Sequence, residues 1–248
     1  MTSALAAPPP LDVSRHALFL DIDGTLLDLA PTPEEVAADA ALRALLRALE
    51  SRLDGALAIL TGRAVIDADR VLAQSVSRVA GLHGQEWRLG ERLLRAETSQ
   101  AGLSHAREAL NALVSQGVLD ARLEDKGAAL AVHYRHAPAQ GAIVSRVVQE
   151  LADAHGLRAL HGKMVSELAP QGATKGGAVL ALMGVAPFAG RMPIAVGDDV
   201  TDEDAFAAVN ELGGRSGLVG PRRKTAARYG VPDVAAVNAW LREGGGEG

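Results

Sequence analysis

The stretch ALFLDIDGTLLDLAP, from Ala17 to Pro31, places two carboxylates at the end of an apolar run. Asp21 and Asp23 follow this run and are themselves followed by Gly24 and Thr25. Like charges at such short separation repel each other, and burial makes their charged forms still less favourable. A metal ion or a bound phosphate group would offset that cost. The stretch therefore predicts a buried strand that ends in a polar site.

The composition indicates a globular protein with enough apolar material for a sizeable core. The chain has 248 residues, of which 48% are hydrophobic but only 3% aromatic, so Leu, Val and Ala must supply the packing. A net charge of −5 argues against a dedicated binder of nucleic acids or anionic membranes. Cysteine is absent, which excludes disulfides, thiolate catalysis and zinc–cysteine sites.

The two ends of the chain carry no pattern of a targeting segment. The first residues, MTSALAAPPP, lack the basic start and long apolar run of a signal peptide, and their prolines predict a disordered lead. The tail GGGEG predicts flexibility, and no apolar run has the length of a membrane span. We therefore expect a cytoplasmic monomer that has no membrane or nucleic-acid partner.

Short apolar runs alternate with helical patterns in the first and last parts of the chain, which is typical of an α/β fold. The expected strands are HALFLD, GALAIL, VAGLHG, PIAVGDD and SGLVG, and the expected helices are 34–53, 64–74, 175–183, 203–212 and 233–242. Between these parts, helical patterns at 103–116 and 141–155 each precede two short strands. This middle segment predicts a small α+β module with an antiparallel sheet.

The alternation predicts a doubly wound, mostly parallel-sheet, Rossmann-like core with an inserted α+β domain. We place the core at 1–101 and 172–248, and the insertion at 102–171. Ligands bind beyond the carboxyl ends of the strands in such sheets. Four polar clusters are expected there or at the start of the next helix: Asp21/Asp23, Thr61-Gly62-Arg63, Lys175 and Asp198/Asp199/Asp202.

The first cluster has the chemistry of a phosphatase. A strand-end aspartate such as Asp21 can attack phosphorus, which divides one difficult hydrolysis into two easier steps. Asp23 faces the same cavity, because side chains in an extended chain repeat with period two, and it can donate and later accept a proton. The alternative is an Asp-Gly turn that merely closes a strand, but D-x-D-G-T directly after a buried run is rare by chance.

The second and third clusters are ambiguous when each is taken alone. The Thr61 hydroxyl can donate to a phosphate oxygen, and Gly62 permits close backbone approach, but LTGR is also an ordinary helix N-cap. Lys175 opens a helix, where a cation is unfavourable unless an anion lies in front of it. The alternative for Lys175 is a solvated side chain beside a glycine-rich turn.

The fourth cluster, in AVGDDVTDEDAF, suits a magnesium ion. Asp198 and Asp199 follow a predicted strand, and Asp202 begins the next helix. Mg²⁺ prefers hard oxygen ligands and binds few carboxylates. Acidic helix capping accounts for Asp202 and Glu203 but poorly for the pair before them.

These four clusters, in this order, resemble the motifs of the haloacid dehalogenase superfamily of aspartate-nucleophile phosphatases, and the insertion resembles its type-2 cap. Within the superfamily, the chain resembles trehalose-6-phosphate phosphatases through the stretches AGLHGQEW, LEDKGAALAVHYR, GKMVSELAP, GATKGGAV and GDDVTDEDAF. The resemblance implies hydrolysis of a small sugar phosphate, trehalose 6-phosphate, with Mg²⁺ as cofactor and an aspartyl-phosphate intermediate.

The resemblance also implies roles for particular residues. Asp21 and Asp198 would coordinate Mg²⁺ by side chain and Asp23 by its carbonyl, while Asp199 or Asp202 would hold the metal's waters or orient a ligand. Thr61 and Lys175 would bind phosphoryl oxygens, with Gly62 and Arg63 beside them. In the cap, the implied sugar-binding residues are Glu124, Lys126, Arg135, Lys163 and Glu167. On residue chemistry alone, solvated hairpins are the favoured interpretation of Glu124 and Lys126 and of Lys163 and Glu167.

Three alternatives stay open. The first alternative is a phosphatase for another sugar or polyol phosphate, the second is a phosphomutase, and the third is an inactive sugar-phosphate sensor. Both a nucleophile and an acid are kept, at Asp21 and Asp23, which argues against a sensor. His83 and His133 are expected to be structural, because the proposed mechanism already has its acid and base.

Overall fold

The structure is a computed structural model that describes residues 5–30, 35–95, 100–127, 129–171, 174–221 and 223–245. The chain forms two compact units, which we name the core unit (1–95 and 174–248) and the inserted unit (96–173). Their limits lie close to the boundaries expected from the sequence, at 101/102 and 171/172.

The strands and helices are numbered in chain order. The strands are β1 (His16–Leu20), β2 (Leu57–Leu60), β3 (Arg78–Gly81), β4 (Glu86–Leu89), β5 (Arg92–Arg95), β6 (Arg122–Asp125), β7 (Leu130–His133), β8 (Leu157–Gly162), β9 (Val165–Pro170), β10 (Met192–Gly197), β11 (Arg215–Val219) and β12 (Tyr229–Val231). The helices are α1 (Ala40–Arg52), α2 (Val65–Leu72), α3 (Gln100–Ser115), α4 (Gly141–His155), α5 (Lys175–Met183), α6 (Glu203–Glu211) and α7 (Val234–Gly245). Among the described residues, no helix has the length and apolar character that crossing a membrane requires.

The core unit is built on an eight-stranded sheet in the order β12-β11-β10-β1-β2-β3-β4-β5. All neighbours pair in parallel except β3–β4 and β4–β5, which are antiparallel. Every residue of β1 is buried, as expected for a central strand covered on both faces. The chain order reverses between β1 and β10, and such a switch point is where open sheets bind ligands. Asp21 and Asp198 directly follow these two strands.

The inserted unit has its own sheet and its own apolar core. Its four strands are antiparallel in the order β6-β7-β9-β8. One face of the sheet packs against α3 and α4 around Leu110, Leu130, Val132, Val148 and Leu168, a cluster separate from the core unit's. The predicted fold class, a mostly parallel α/β core with an inserted α+β domain, is confirmed.

Helix α1 begins later than its apolar pattern predicts. The Asp39 side chain accepts a hydrogen bond from the N–H of Leu42 at 2.7 Å, so Asp39 is the N-cap and the helix starts at Ala40. The prediction of a helix from residue 34 was therefore wrong at its start, although residues 31–34 lie outside the described ranges. Val36 is buried without being helical.

Three strands were missed by the sequence analysis, and all lie at or near an edge of the core sheet. The hairpin β4–β5 is rich in charged residues, and Leu93 and Leu94 of β5 are exposed, so no apolar run marks it. Strand β12 has only three residues. Their pairing with inner strands, rather than their own sequence pattern, places them in the sheet.

The expected disorder of the lead is wrong for the residues that the structure describes there. The Ala6 carbonyl accepts a hydrogen bond from the N–H of Gly230 in β12, at 2.9 Å. The Trp240 indole N–H donates to the Pro9 carbonyl at 3.0 Å, so the segment packs beside α7. Gly244 and Gly245, the first residues of GGGEG, belong to α7, and the remaining tail residues lie outside the described ranges.

His16, the first residue of β1, is buried and accepts a hydrogen bond at Nδ1 from the N–H of Asp12, at 2.9 Å. Burial, followed by the positive charge of Arg215, lowers the pKa of His16 below its usual 6.5 although Asp12 opposes the shift. As pH falls below 6.5 the unfolded state takes up this proton first, so His16 lowers the free energy of unfolding progressively there.

We expect His16→Asn to reduce the loss of stability between pH 7 and pH 5, because the amide oxygen still accepts a hydrogen bond from the N–H of Asp12 and does not titrate. Urea unfolding at both pH values measures the difference. His136→Asn, at an exposed histidine, is the control. Equal losses in the wild type and His16→Asn would contradict this account.

Candidate active site

Asp21 leaves the central strand β1 and enters a buried cluster of charged side chains. Its N–H donates to the carbonyl of Val196 at 3.1 Å, which continues the pairing of β1 with β10. The residue is only 6% exposed, and its Oδ1 accepts a hydrogen bond from Lys175 Nζ at 2.7 Å. Both the backbone and the side chain of Asp21 are therefore held at the switch point.

Lys175 is the first residue of α5, whose N-cap Thr174 accepts from the N–H of Gly177 at 2.9 Å. Its ammonium donates to Asp21 Oδ1 and to Asp202 Oδ1, each at 2.7 Å. Burial disfavours the charged ammonium, but Asp202 and Asp21 outweigh it and raise the pKa of Lys175. The anions in front of this helix start are thus two carboxylates of the chain itself.

Asp202 braces the loop that follows β10. Its Oδ2 accepts from the N–H groups of Asp198 and Asp199, both at 3.1 Å, while Oδ1 accepts from Lys175. The Asp199 side chain in turn accepts from the N–H of Asp202, which completes a reciprocal capping box. Asp202 and Asp199 therefore use much of their hydrogen-bonding capacity within the chain.

Asp198 has a different environment. Its Oδ1 is buried and accepts no hydrogen bond from the residues that the structure describes. Burial, with the charges of Asp202 and Asp199, raises the pKa of Asp198 to about 7. Burial also raises the pKa of Asp21 well above its usual range, against the attraction of Lys175.

The carboxylates of Asp21, Asp198 and Asp202 fit a divalent metal ion. One oxygen from each lies within 4.8 Å of the others. The buried Oδ1 of Asp198 offers a ligand atom. Burial first, and then the neighbouring carboxylates, raise the pKa values of Asp21 and Asp198, and a bound cation would offset this cost. Hard oxygen donors of this kind suit Mg²⁺.

Gly24 makes room for Asp198. It has a φ of +83°, and a Cβ atom built on it would lie 2.2 Å from Asp198 Oδ2. Any larger residue at this position would displace the carboxylate. The glycine of DIDGT is therefore required by its neighbour across the switch point as well as by its own backbone conformation.

Asp23 is clamped by Arg63. The guanidinium donates from Nε to Asp23 Oδ2 and from Nη2 to Asp23 Oδ1, both at 2.6 Å, which is a bidentate pair. Burial opposes the charge of Arg63, but the hydrogen bonds to Asp23 raise its pKa. Thr61, which is buried, accepts at Oγ1 from the N–H of Arg63 at 3.1 Å. The structure thus brings the first and second clusters into contact.

A strained turn supports the second cluster from behind. Leu82, His83 and Gly84 have consecutive φ values of +47°, +56° and +101°, and the left-handed region is unfavourable for the first two. Two hydrogen bonds hold the turn in place: Leu82 N–H donates to the Arg63 carbonyl at 2.8 Å, and His83 N–H to the Thr61 carbonyl at 3.0 Å. The sequence pattern had predicted an ordinary strand for this stretch.

The same turn also contacts the third cluster. The His83 ring lies so close to Gly62 that a Cβ there would be 2.8 Å from Cε1. On the other side, a Cβ at Gly84 would be 3.0 Å from the carbonyl of Thr174, which precedes Lys175. The turn therefore fixes the spacing between two clusters, and the glycines around Leu-His were its only signal in the sequence.

Arg223 is a second residue that the sequence analysis missed. Its Nη2 donates to the carbonyl of Asp199 at 2.6 Å and to that of Asp198 at 3.3 Å. Its Nη1 forms an ion pair with Glu203. Arg223 lies between β11 and β12, outside all recognised motifs, so only the fold shows that it supports the loop after β10.

The inserted unit brings three of the five predicted sugar-binding residues onto one face of its sheet. Glu124 and Glu167 flank Ala131 across β6, β7 and β9. Lys126 Nζ donates to Glu167 Oε1 at 2.6 Å, and both side chains are largely buried. Glu124 Oε2 lies 2.7 Å from His133 Nε2.

The other two predicted residues lie at the ends of strands. Arg135 follows β7 and Lys163 lies in the turn between β8 and β9, and both are exposed. Their roles, like those of the other site residues, stay predictions.

Comparison with known proteins decides the family. The family model described as trehalose-phosphatase matches residues 19–233. The chain belongs to the trehalose-phosphatase family. It is 45% identical to a probable trehalose-phosphate phosphatase of Sinorhizobium fredii, over 91% of this chain and 86% of the relative. It is 37% identical to trehalose-6-phosphate phosphatase of Escherichia coli, over 94% and 89%.

A solved structure agrees with this membership. The crystal structure of a trehalose-6-phosphate phosphatase related protein matches with a TM-score of 0.74 and 29% identity, over 91% of this chain and 95% of that one. The resemblance stated from the motifs is therefore confirmed at the level of family, enzyme class and fold. The chain is a phosphatase enzyme of this family.

We expect Asp198→Asn to stabilise the metal-stripped protein. A carboxyl whose pKa rises from 3.8 to about 7 on folding stabilises the folded state at low pH and loses that contribution as pH rises between these values. At pH 8 in EDTA, the neutral amide should raise Tm by roughly 2–4 °C. Added Mg²⁺ should stabilise the wild type but not the variant.

Thermal unfolding with EDTA and with Mg²⁺ measures both effects, and Asp28→Asn, at an exposed aspartate of the same segment, is the control. Equal stabilisation of Asp198→Asn and wild type by Mg²⁺ would show that Asp198 is not a ligand.

We expect Gly24→Ala to lower phosphatase activity at least about tenfold, because its methyl group would displace the Asp198 carboxylate. Gly220→Ala is a matched control: its φ is +84°, but nothing lies within 4 Å of a Cβ there. That control should lose only about 1 kcal/mol of stability and keep its activity. Phosphate release and urea unfolding measure the two effects, and equal activities in both variants would refute the steric explanation.

Proposed function

We propose that this enzyme hydrolyses trehalose 6-phosphate to trehalose and phosphate, with Mg²⁺ as cofactor and through an aspartyl-phosphate. The observation that carries the proposal is the buried Asp21, bound to Lys175 beside Asp198 and Asp202, in a chain of the trehalose-phosphatase family. The substrate follows from the names of its relatives from Sinorhizobium fredii and Escherichia coli.

In the first step, a carboxylate oxygen of Asp21 attacks phosphorus, and the bond from phosphorus to the sugar oxygen breaks. Asp23 donates a proton to the departing alkoxide, which becomes a hydroxyl of trehalose. In the second step, the oxygen of a water molecule attacks phosphorus while Asp23 takes a proton from that water. The bond between phosphorus and Asp21 then breaks, which releases phosphate and restores the carboxylate.

The pair of Asp23 with Arg63 sets a condition on this sequence. Both oxygens of Asp23 accept hydrogen bonds from the guanidinium, so the pair must open before Asp23 can exchange a proton with the sugar oxygen or with water. We propose that Arg63 transfers its hydrogen bonds to the phosphoryl group when substrate binds, which gives Arg63 a substrate-binding role.

Other predicted site residues of the core unit would stabilise the phosphoryl group during its transfer. Lys175 and the Thr61 hydroxyl would donate to its oxygens, together with the backbone N–H at Gly62. Bound by Asp21, Asp198 and the Asp23 carbonyl, Mg²⁺ would neutralise the carboxylates and withdraw charge from the phosphoryl oxygens. Asp202 belongs to the same cluster of oxygens, but both of its oxygens already accept hydrogen bonds, so Asp202 and Asp199 would orient this loop rather than bind the metal directly.

The inserted unit would act as the cap and supply the groups that recognise the sugar. Glu124, Lys126, Arg135, Lys163 and Glu167 carry carboxylates and cations that form directional hydrogen bonds with hydroxyl groups. A cytoplasmic location, a monomeric state and the absence of membrane and nucleic-acid partners stay predictions from the sequence.

The test is phosphate release from trehalose 6-phosphate, sucrose 6-phosphate, glucose 6-phosphate and mannose 6-phosphate, with Mg²⁺ and with EDTA. We expect trehalose 6-phosphate to be preferred by orders of magnitude and EDTA to abolish turnover. Asp21→Asn should lose about a thousandfold or more, because an amide is a poor nucleophile, whereas Asp28→Asn should be fully active.

Each part of the proposal can fail separately. Preference for another sugar phosphate would contradict the proposed substrate but leave the proposed role of Asp21 unchanged. Substantial turnover by Asp21→Asn would contradict the assignment of Asp21 as the nucleophile. Activity that survives exhaustive EDTA treatment would contradict the requirement for Mg²⁺.

A further inference from the structure

The sheet of the inserted unit has one apolar and one polar face. Leu130, Val132 and Leu168 lie on the face that packs against helices, so the alternate residues of β7 and β9 lie on the other. His133 and Glu167 are on this second face, together with Glu124, Lys126 and Arg122 of the β6 segment. The charged and hydrogen-bonding side chains of this face form a layer beside the apolar Ala131 and Leu160.

Within this layer, His133 and Glu124 form a close pair. His133 lies opposite Arg122 in the strand register and diagonal to Glu124, whose own partner is Ala131. The 2.7 Å contact joins His133 Nε2 to Glu124 Oε2, and because an ionised carboxylate only accepts, Nε2 carries the proton. The hydrogen bond from His133 is the largest cause that lowers the pKa of Glu124, although burial opposes it.

The pair restricts the orientation of the Glu124 side chain. A glutamate side chain at a sheet surface samples many rotamers, and a hydrogen bond to one oxygen removes much of that freedom. The bond occupies Oε2 and leaves Oε1 available to accept from another donor. The ammonium of Lys126 donates to Glu167, and its positive charge also favours the ionised form of Glu124.

We propose that His133 is a positioning residue for substrate specificity: it holds the Glu124 carboxylate in the orientation that accepts a hydrogen bond from a hydroxyl of the sugar. The inference rests on the proposed function, in which Glu124 contacts the sugar. His133 acts through Glu124 and takes no part in the phosphoryl chemistry, so its effect is confined to substrates that carry the sugar.

The experiment compares trehalose 6-phosphate with p-nitrophenyl phosphate, an ester without a sugar. We expect His133→Ala to raise KM for trehalose 6-phosphate about tenfold with kcat nearly unchanged, and to leave p-nitrophenyl phosphate hydrolysis as in the wild type. His133→Gln should recover part of the loss, since its amide N–H can donate to Glu124.

Two comparisons separate positioning from general structural damage. His136→Ala removes an exposed histidine that makes a similar 3.0 Å contact, with Asp120, and should leave both substrates unaffected. In the Glu124→Gln background, His133→Ala should add little further loss, because residues that act through one another are not additive.

The outcomes distinguish this inference from the function on which it rests. If Glu124→Gln raises KM for trehalose 6-phosphate but His133→Ala does not, the inference alone is overturned. A parallel loss with p-nitrophenyl phosphate, or full additivity with Glu124→Gln, also overturns it. If the wild type does not hydrolyse trehalose 6-phosphate, or Glu124→Gln leaves KM unchanged, the proposed substrate or the Glu124 assignment fails, and the inference fails with it.

Discussion

The buried ammonium of Lys175 is the interaction on which the rest of the candidate active site depends. It lies 2.7 Å from both Asp21 and Asp202, at the ends of two different segments of the core unit. Without it, Asp21 and Asp202 would be buried without their ion-pair partner, and an uncompensated buried charge costs several kcal/mol. Its presence lets Asp202 use its second oxygen to shape the loop of Asp198 and Asp199.

The scaffold around this ion cluster holds its loops by contacts that lie outside the reacting groups. The strained turn at Leu82–Gly84 contacts both the Thr61-Gly62-Arg63 turn and Thr174, while Arg223 holds the carbonyls after β10. Catalytic groups on loops reach fixed positions only when neighbouring segments hold the loops in this way. The strained backbone conformation of this turn persists because the surrounding hydrogen bonds hold it in place.

The sequence was sufficient to predict the bounds of an element where its apolar pattern and the residues that end it lie within the element itself. The bounds of α4, 141–155, and of α5, 175–183, agree with those expected from sequence. The start of α1 did not, because the Asp39 cap overrides an apolar pattern that begins earlier. Strands β4, β5 and β12 escaped prediction because strands at or next to the edge of a sheet need no apolar run and are defined by their pairing.

The sequence by itself determined which chemical groups follow which strands, and hence the fold class, the family and the four clusters of the core unit. Only the tertiary structure decided their partners: Lys175 with Asp21, which are 154 positions apart, Arg63 with Asp23, and Gly24 against Asp198. It likewise joined His133 to Glu124 and left Asp198 Oδ1 without a partner among the described residues. The physical reason is that apolar periodicity is a property of short segments, whereas hydrogen bonds and ion pairs depend on distances of a few ångströms between segments remote in sequence.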